Sequence, residues 1–248
     1  MCIRDRAKKA FNHGTGVDWF DFDNDGDFDL LLAQLAHPWF VESIGHRGTT
    51  LFKNNNGRLE DITTELNIQY EETHAGAAFG DLNNDGLVDI ITTAYYGCRY
   101  IDIYLQQSDH SFKISTHDSG VSRVSLNYDV CYVDYDKDGQ LDVTIGGEQA
   151  FRLYKNIGQP TYNWVAISLE GNFMNKSAIG AIVKVYTNGQ IYTQEVNAGR
   201  GQRMQKPTTL HFGLAKADKI DKVEIFWNSR KAKTYTNLAI NKVHQIKE

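Results

Sequence analysis

Short apolar runs recur along the first two thirds of the chain, and each is broken by a row of aspartates. Val17-Asp18-Trp19-Phe20, Ala77-Ala78-Phe79-Gly80 and Val130-Cys131-Tyr132-Val133 lead into these rows, and Leu30-Leu31-Leu32, Ile90-Ile91-Thr92 and Val143-Thr144-Ile145 lead out of them. The runs are too short for helices and rich in β-branched and aromatic residues, so they read as strands. Third strands follow at Leu51-Phe52-Lys53, Ile101-Asp102-Ile103-Tyr104 and Phe151-Arg152-Leu153-Tyr154, and polar turns lead to fourth strands around Arg58–Thr63 and Phe112–Ser115. The rows begin at Asp21, Asp81 and Asp134, 60 and 53 residues apart. A repeat of this period with four short antiparallel strands predicts the blades of a β-propeller.

The rows read Asp-Phe-Asp-Asn-Asp-Gly-Asp-Phe-Asp, Asp-Leu-Asn-Asn-Asp-Gly-Leu-Val-Asp and Asp-Tyr-Asp-Lys-Asp-Gly-Gln-Leu-Asp. Side-chain oxygens fall at positions 1, 3, 5 and 9: Asp21, Asp23, Asp25 and Asp29; Asp81, Asn83, Asp85 and Asp89; Asp134, Asp136, Asp138 and Asp142. Position 7 (Asp27, Leu87 and Gln140) is expected to offer its backbone carbonyl. A hard cation such as Ca²⁺ takes six to eight oxygens, and carboxylates alternating around a tight turn supply them. Glycine at position 6 permits the positive φ of such a turn. An EF-hand would need a bidentate Glu at position 12 and flanking helices. Position 12 is Leu32, Thr92 and Ile145, each in a strand-like run. Three metal-free Asx turns are the plainer alternative, but three loops in one register favour about three calcium ions. Ligand charge tunes affinity, so the middle loop, with three carboxylates, is expected to bind weakest.

The D-x-[DN]-x-D-G-x-x-D loops between strands resemble the FG-GAP or VCBS repeats of integrin α-like β-propellers over about residues 11–157, and Leu51-Phe52-Lys53-Asn54-Asn55-Asn56-Gly57 resembles the outer hairpin of that family. The resemblance implies Ca²⁺ at the turn between the first two strands of each blade. After Pro160 the Asp loops stop. Asn163-Trp164-Val165, Asn175-Lys176, Ile179-Gly180-Ala181, His211-Phe212-Gly213-Leu214 and Val223–Trp227 resemble the ASPIC/UnbV domain, which follows such repeats in secreted proteins. Trp227-Asn228-Ser229-Arg230 departs from its usual Trp-Pro-x-Gly turn. The expected fold is all-β: three four-stranded blades of a partial (truncated) β-propeller followed by a β-sandwich-like C-terminal domain. The expected divisions are a non-native or disordered start (1–10), the repeats (11–159) and the C-terminal unit (160–248).

Charge sharpens the metal expectation. The three loops hold 12 of the 31 acidic residues in a chain of net charge −5, and three divalent ions would bring that to about +1. No basic patch points to nucleic acid, and no apolar run approaches the roughly 18 residues of a transmembrane span. Cys98 and Cys131 could be bridged or could be two thiols. Met1–Lys9 lacks the apolar core of a secretory leader, and Met1-Cys2-Ile3-Arg4-Asp5-Arg6 resembles a translated sequencing adapter. Propellers close with four to eight blades, so the natural chain is expected to begin upstream.

Counting along a blade places the 2–3 and 4–1 loops on the face opposite the Asp loops. That face collects His37, Trp39, Phe40, Arg47, Tyr95, Tyr96 and Arg99, with His13, His74 and Tyr128 nearby. Aromatics on loops over a rigid scaffold are expected to meet a protein or glycan ligand, unless Trp39 and Phe40 pack beneath their own loop. No H-E-x-x-H, G-x-S-x-G, Walker A or dinucleotide fingerprint is present, so no catalytic residue is expected. The expected function is a calcium-dependent adhesion or recognition scaffold, secreted or in the cell envelope, with calcium structural. The alternative is an accessory region of a secreted polysaccharide- or lipid-processing enzyme whose active site lies upstream. Oligomeric state is not legible.

Overall fold

The computed structural model describes residues 13–35, 48–68, 74–96, 101–121, 126–148, 151–158, 161–172, 175–199, 205–228 and 232–248. They form eighteen strands and no helix, so the chain is all-β. The first sheet is a meander of β1 (His13–Phe20), β2 (Asp29–Leu35), β3 (Thr50–Asn55) and β4 (Arg58–Asp61). The second repeats it with β5 (His74–Gly80), β6 (Asp89–Ala94), β7 (Asp102–Gln106) and β8 (Phe112–Ile114). The third holds β9 (Asn127–Val133), β10 (Asp142–Gly147) and β11 (Phe151–Tyr154).

Three four-stranded sheets were expected, and among the described residues the third has three strands. After β11 the chain is pinned instead of turning back. Asn156 N donates to Asp142 Oδ1 (2.8 Å), and its side-chain amide donates to Leu82 O (2.9 Å) in the second sheet. By Trp164 the chain has entered another sheet. Phe151 and Leu153 on the edge strand β11 stay exposed.

The three sheets stack face to face because successive strand residues point to opposite faces. In the middle sheet Ala77, Ile90 and Tyr104 pack towards the first sheet, among Phe20, Leu31 and Leu51. Their neighbours Ala78, Ile91 and Ile103 pack towards the third, among Val130, Val143 and Ile145. Covered on both sides, β6 is buried along its whole length, and this is why it reads as a continuous run rather than an alternating one.

The remaining strands are β12 (Trp164–Glu170), β13 (Ile182–Thr187), β14 (Gln190–Glu195), β15 (Leu210–Gly213), β16 (Lys222–Phe226), β17 (Ala232–Tyr235) and β18 (Lys242–Lys247). They build two sheets, β15-β12-β18 and β14-β13-β16-β17, with β12 and β18 parallel. Alternate residues Val165, Ile167 and Leu169 of one sheet and Val183, Val185, Val223 and Ile225 of the other fill a single core. No helix among the described residues is long and apolar enough to cross a membrane.

Candidate metal centre

Each Asp row is the turn between the first two strands of its sheet. The glycines take the expected positive φ, 95° at Gly26, 85° at Gly86 and 88° at Gly139. Position 4 also lies in the left-handed region (Asn24, Asn84 and Lys137, φ near 60°), where asparagine is better tolerated than most residues.

The carboxylates at each position have distinct partners. At position 1, Asp21, Asp81 and Asp134 accept the N–H of the position 6 glycine at 2.8–3.0 Å. At position 5, Asp25, Asp85 and Asp138 accept the N–H of position 7. At position 9, Asp29, Asp89 and Asp142 are fully buried and accept two backbone N–H groups each. One comes from position 2 (Phe22, Leu82 or Tyr135) and the other from the third strand or its end (Asn54, Gln106 or Asn156). Position 9 therefore ties the turn to a strand outside it. The Asp27 side chain accepts Asn56 N from the β3–β4 hairpin, leaving its backbone carbonyl for any metal.

In the first loop, carboxylate oxygens of Asp21, Asp23 and Asp29 lie within 4.8 Å of one another, and in the third those of Asp134, Asp136 and Asp138 do. Asp25 and Asp142 fall outside these groups, and the Asn83-containing second loop forms none among the described residues. Asp21 Oδ1 and Asp23 Oδ1 are buried with no hydrogen-bond partner, a costly arrangement unless a cation stands between them. Burial, with Asp25 and Asp23 adding repulsion, pushes Asp21 up to about 7. Burial likewise pushes Asp29 to about 7 and Asp89 to about 8. Asp81, packed against Asp89 and Asp85, is raised well above the carboxylate range, again chiefly by burial. Asp85, Asp134 and Asp142 are raised for the same first reason. Buried carboxylates with unpartnered oxygens and only hard donors fit a divalent cation such as Ca²⁺, which would supply the positive charge that holds these groups ionised.

Two lysines went unnoticed in the sequence. Lys53 pairs with Asp23 and Asp25, and Lys155 pairs with Asp136 and Asp138. Each sits one residue before the third-strand amide that holds position 9, where the second repeat has Leu105. The ammonium groups offset one carboxylate each in the first and third loops, so carboxylate count alone overstates their attraction for a cation. Lys53→Met is expected to tighten calcium binding at the first loop by about tenfold, since a unit charge a few ångströms away is worth a few kcal/mol before solvent screening. Calorimetric titration against the parent chain checks this.

Further residues join the loops to one another. Asn24 Nδ2 donates to Gly86 O (3.3 Å) and Asn84 Nδ2 to Gly139 O (2.9 Å), so each position 4 asparagine holds the next loop's turn. Gln106 Nε2 donates to Phe22 O (3.1 Å), the counterpart of Asn156 on Leu82 O.

At the opposite ends of the strands, Tyr95 packs against Tyr96 and Tyr128 (ring centroids 5.1 and 4.6 Å). The Tyr95 and Tyr128 hydroxyls donate to the exposed Glu148 carboxylate at 3.2 and 2.8 Å. His74, expected on this face, is instead fully buried. Its Nδ1 bonds Thr49 Oγ1 (2.7 Å) and its Nε2 lies 3.0 Å from Thr92 Oγ1, so both nitrogens are spent inside. His37, Trp39, Phe40, Arg47 and Arg99 lie outside the described residues, as does Cys98. Cys131 is buried and its thiol lies 3.2 Å from Tyr132 O.

Residues 81–145, spanning the second and third loops, match the FG-GAP-like repeat. Residues 171–248 match the ASPIC and UnbV family. The chain thus carries a β-propeller repeat segment followed by an ASPIC/UnbV domain. It is also similar to cartilage acidic protein 1 of Xenopus tropicalis, 26% identical over 231 residues. That alignment covers 88% of this chain and 34% of the relative, so the chain spans about a third of the curated relative it matches.

Proposed function

We propose that the chain is a non-catalytic, calcium-stabilised recognition scaffold working outside the cell or in its envelope. In this reading the three stacked sheets are blades of a β-propeller that this chain contains only in part, and residues 160–248 form a sandwich-like companion. The observation that carries the metal assignment is the pair of buried, unpartnered oxygens on Asp21 and Asp23, converging with Asp29. Calcium sites of extracellular modules have Kd around 10⁻⁴–10⁻³ M, and such sites fill where calcium is millimolar.

The recognition surface is the far end of the strands, where Tyr95, Tyr96 and Tyr128 surround Glu148. Aromatic faces beside a carboxylate suit a sugar ring or a basic, aromatic protein surface. Titration of the full chain with calcium is expected to show about three ions bound, and one fewer in Asp21→Ala. Glycan-array and pull-down screening then supplies a ligand, for which a Tyr95→Ala, Tyr128→Ala variant is expected to lose at least about tenfold in affinity. Absence of any calcium heat, or wild-type binding by that variant, rejects the corresponding half of the proposal.

A further inference from the structure

The C-terminal unit does not hang from the repeats by its linker alone. It sits on the turns of the second and third Asp loops. Tyr192 covers Gly86: a β-carbon there would come within 2.6 Å of the phenol oxygen. Trp164 covers Gly139 so closely that a β-carbon there would overlap the indole, and Gly213 lies against Asp81 and Asn84 with no room for a side chain. The equivalent Gly26 of the first loop has nothing within 4 Å of the same position. At the position 6 glycine, the C-terminal unit therefore covers two loops of the three.

Asn84, at position 4 of the second loop, is the centre of the contact. Its side-chain nitrogen donates to Gly139 O, so its Oδ1 is an acceptor. His211 Nε2 lies 2.7 Å from that oxygen and must carry the proton. Asn84 O accepts Ala215 N at 2.9 Å. His211 stacks on Trp164 (5.5 Å, 15°), and its carbonyl accepts Gln194 Nε2 at 2.6 Å. Lys206 adds an ion pair to Asp18 in β1 (3.2 Å). A cleft of about 110 Å³ between the units is lined by Asp21, Asp81, Tyr192, His211 and Phe212.

We propose that the second Asp loop is the seat of the C-terminal unit and that its occupation by a cation and the docking of that unit form one coupled equilibrium. The proposal rests on the calcium reading above. Its geometry has two parts. Asn84 and Gly86 make their contacts from left-handed backbone (φ 61° and 85°) set by the loop's turn, so a loop that loses its order loses every contact together. The loop also has Leu105 where the first and third repeats have Lys53 and Lys155, so no ammonium group at that position stands in for the ion beside Asp81, Asp85 and Asp89. Removing the ion disorders the seat under the C-terminal unit while leaving that unit's own core intact. By reciprocity, contacts made by the C-terminal unit raise the cation affinity of the second loop.

The test uses the full chain, hydrogen exchange resolved to peptides and calorimetric titration with calcium chloride. The Ala215 amide, which donates to Asn84 O, is expected to exchange about tenfold faster in EGTA than in millimolar calcium, while the amides of β13, β15 and β16 keep their protection. Asp85→Ala reproduces this loss in calcium, and Asp25→Ala in the first loop does not. His211→Ala, or the milder Tyr192→Phe, weakens one of the calcium sites by about fivefold or more. Calcium binding with unchanged protection of the Ala215 amide in EGTA overturns the coupling and leaves the calcium reading standing. Unaltered titration of both C-terminal variants does the same. Absence of calcium binding overturns both.

Discussion

Stripping calcium at pH 8 is expected to lower the melting temperature by about 5–10 °C for each ion lost. An ion at 100 times its Kd contributes about 2.7 kcal/mol, and each kcal/mol is worth about 2–4 °C in a chain of this size. The effect has a pH signature of definite sign. In the ion-free protein, burial raises Asp21 and Asp29 to about 7 and Asp89 to about 8, well above their values in the unfolded chain. The folded state then holds protons that the unfolded state releases. The stability these groups contribute is fully present below about pH 4 and is lost as pH rises through 7 to 8. A bound cation holds the same carboxylates ionised and removes that loss. The gap between melting curves in calcium and in EGTA should therefore widen from pH 5 to pH 8. Thermal melts across this range check it, and a gap that is constant or narrows with pH contradicts the assignment.

The second large effect separates the two tasks of the aspartates. Asp89→Ala is expected to cost about 3–5 kcal/mol even in EGTA, because the Leu82 and Gln106 N–H groups it satisfies would be left buried and unpaired at about 1–3 kcal/mol each, with the lost packing added. Asp85→Ala removes a half-buried carboxylate whose backbone bond closes only the local turn. It should lower stability in calcium and have little effect in EGTA. Denaturant titrations of the two variants, with and without calcium, measure the difference. Equal costs under both conditions would show that position 9 is no more structural than position 5.

The register of the repeats was legible because every signal in it is local. Asp at 1 and 9, Gly at 6 and a strand on either side all lie within one turn, so the positive φ at Gly26, Gly86 and Gly139 followed from spacing alone. The role of position 4 was not legible. Asn24 and Asn84 bind carbonyls 62 and 55 residues away, across a contact that exists only once the sheets have stacked. Lys53 and Lys155 look like ordinary outer-strand residues until the β2–β3 and β10–β11 pairings carry them over their loops. His74 looked like a surface histidine because the count that placed it gave only the end of the strand. Its burial depends on Thr49, just before β3, and Thr92 of β6 arriving from elsewhere in the fold.

The third sheet, three-stranded among the described residues, shows the same limit. Phe151-Arg152-Leu153-Tyr154 has the pattern of its counterparts, and what differs is the path afterwards, fixed by Asn156 bonding to the second sheet. The residue pattern set the strands, the glycine turns and the convergence of hard oxygen donors, because each depends on backbone conformation and neighbours a few positions away. Which loops are covered, which carboxylates lose water and where the C-terminal unit sits were decided by packing between segments that lie in different strands and turns of the chain. Burial is a property of that assembly, and it is burial that turns three similar aspartate rows into loops of different character.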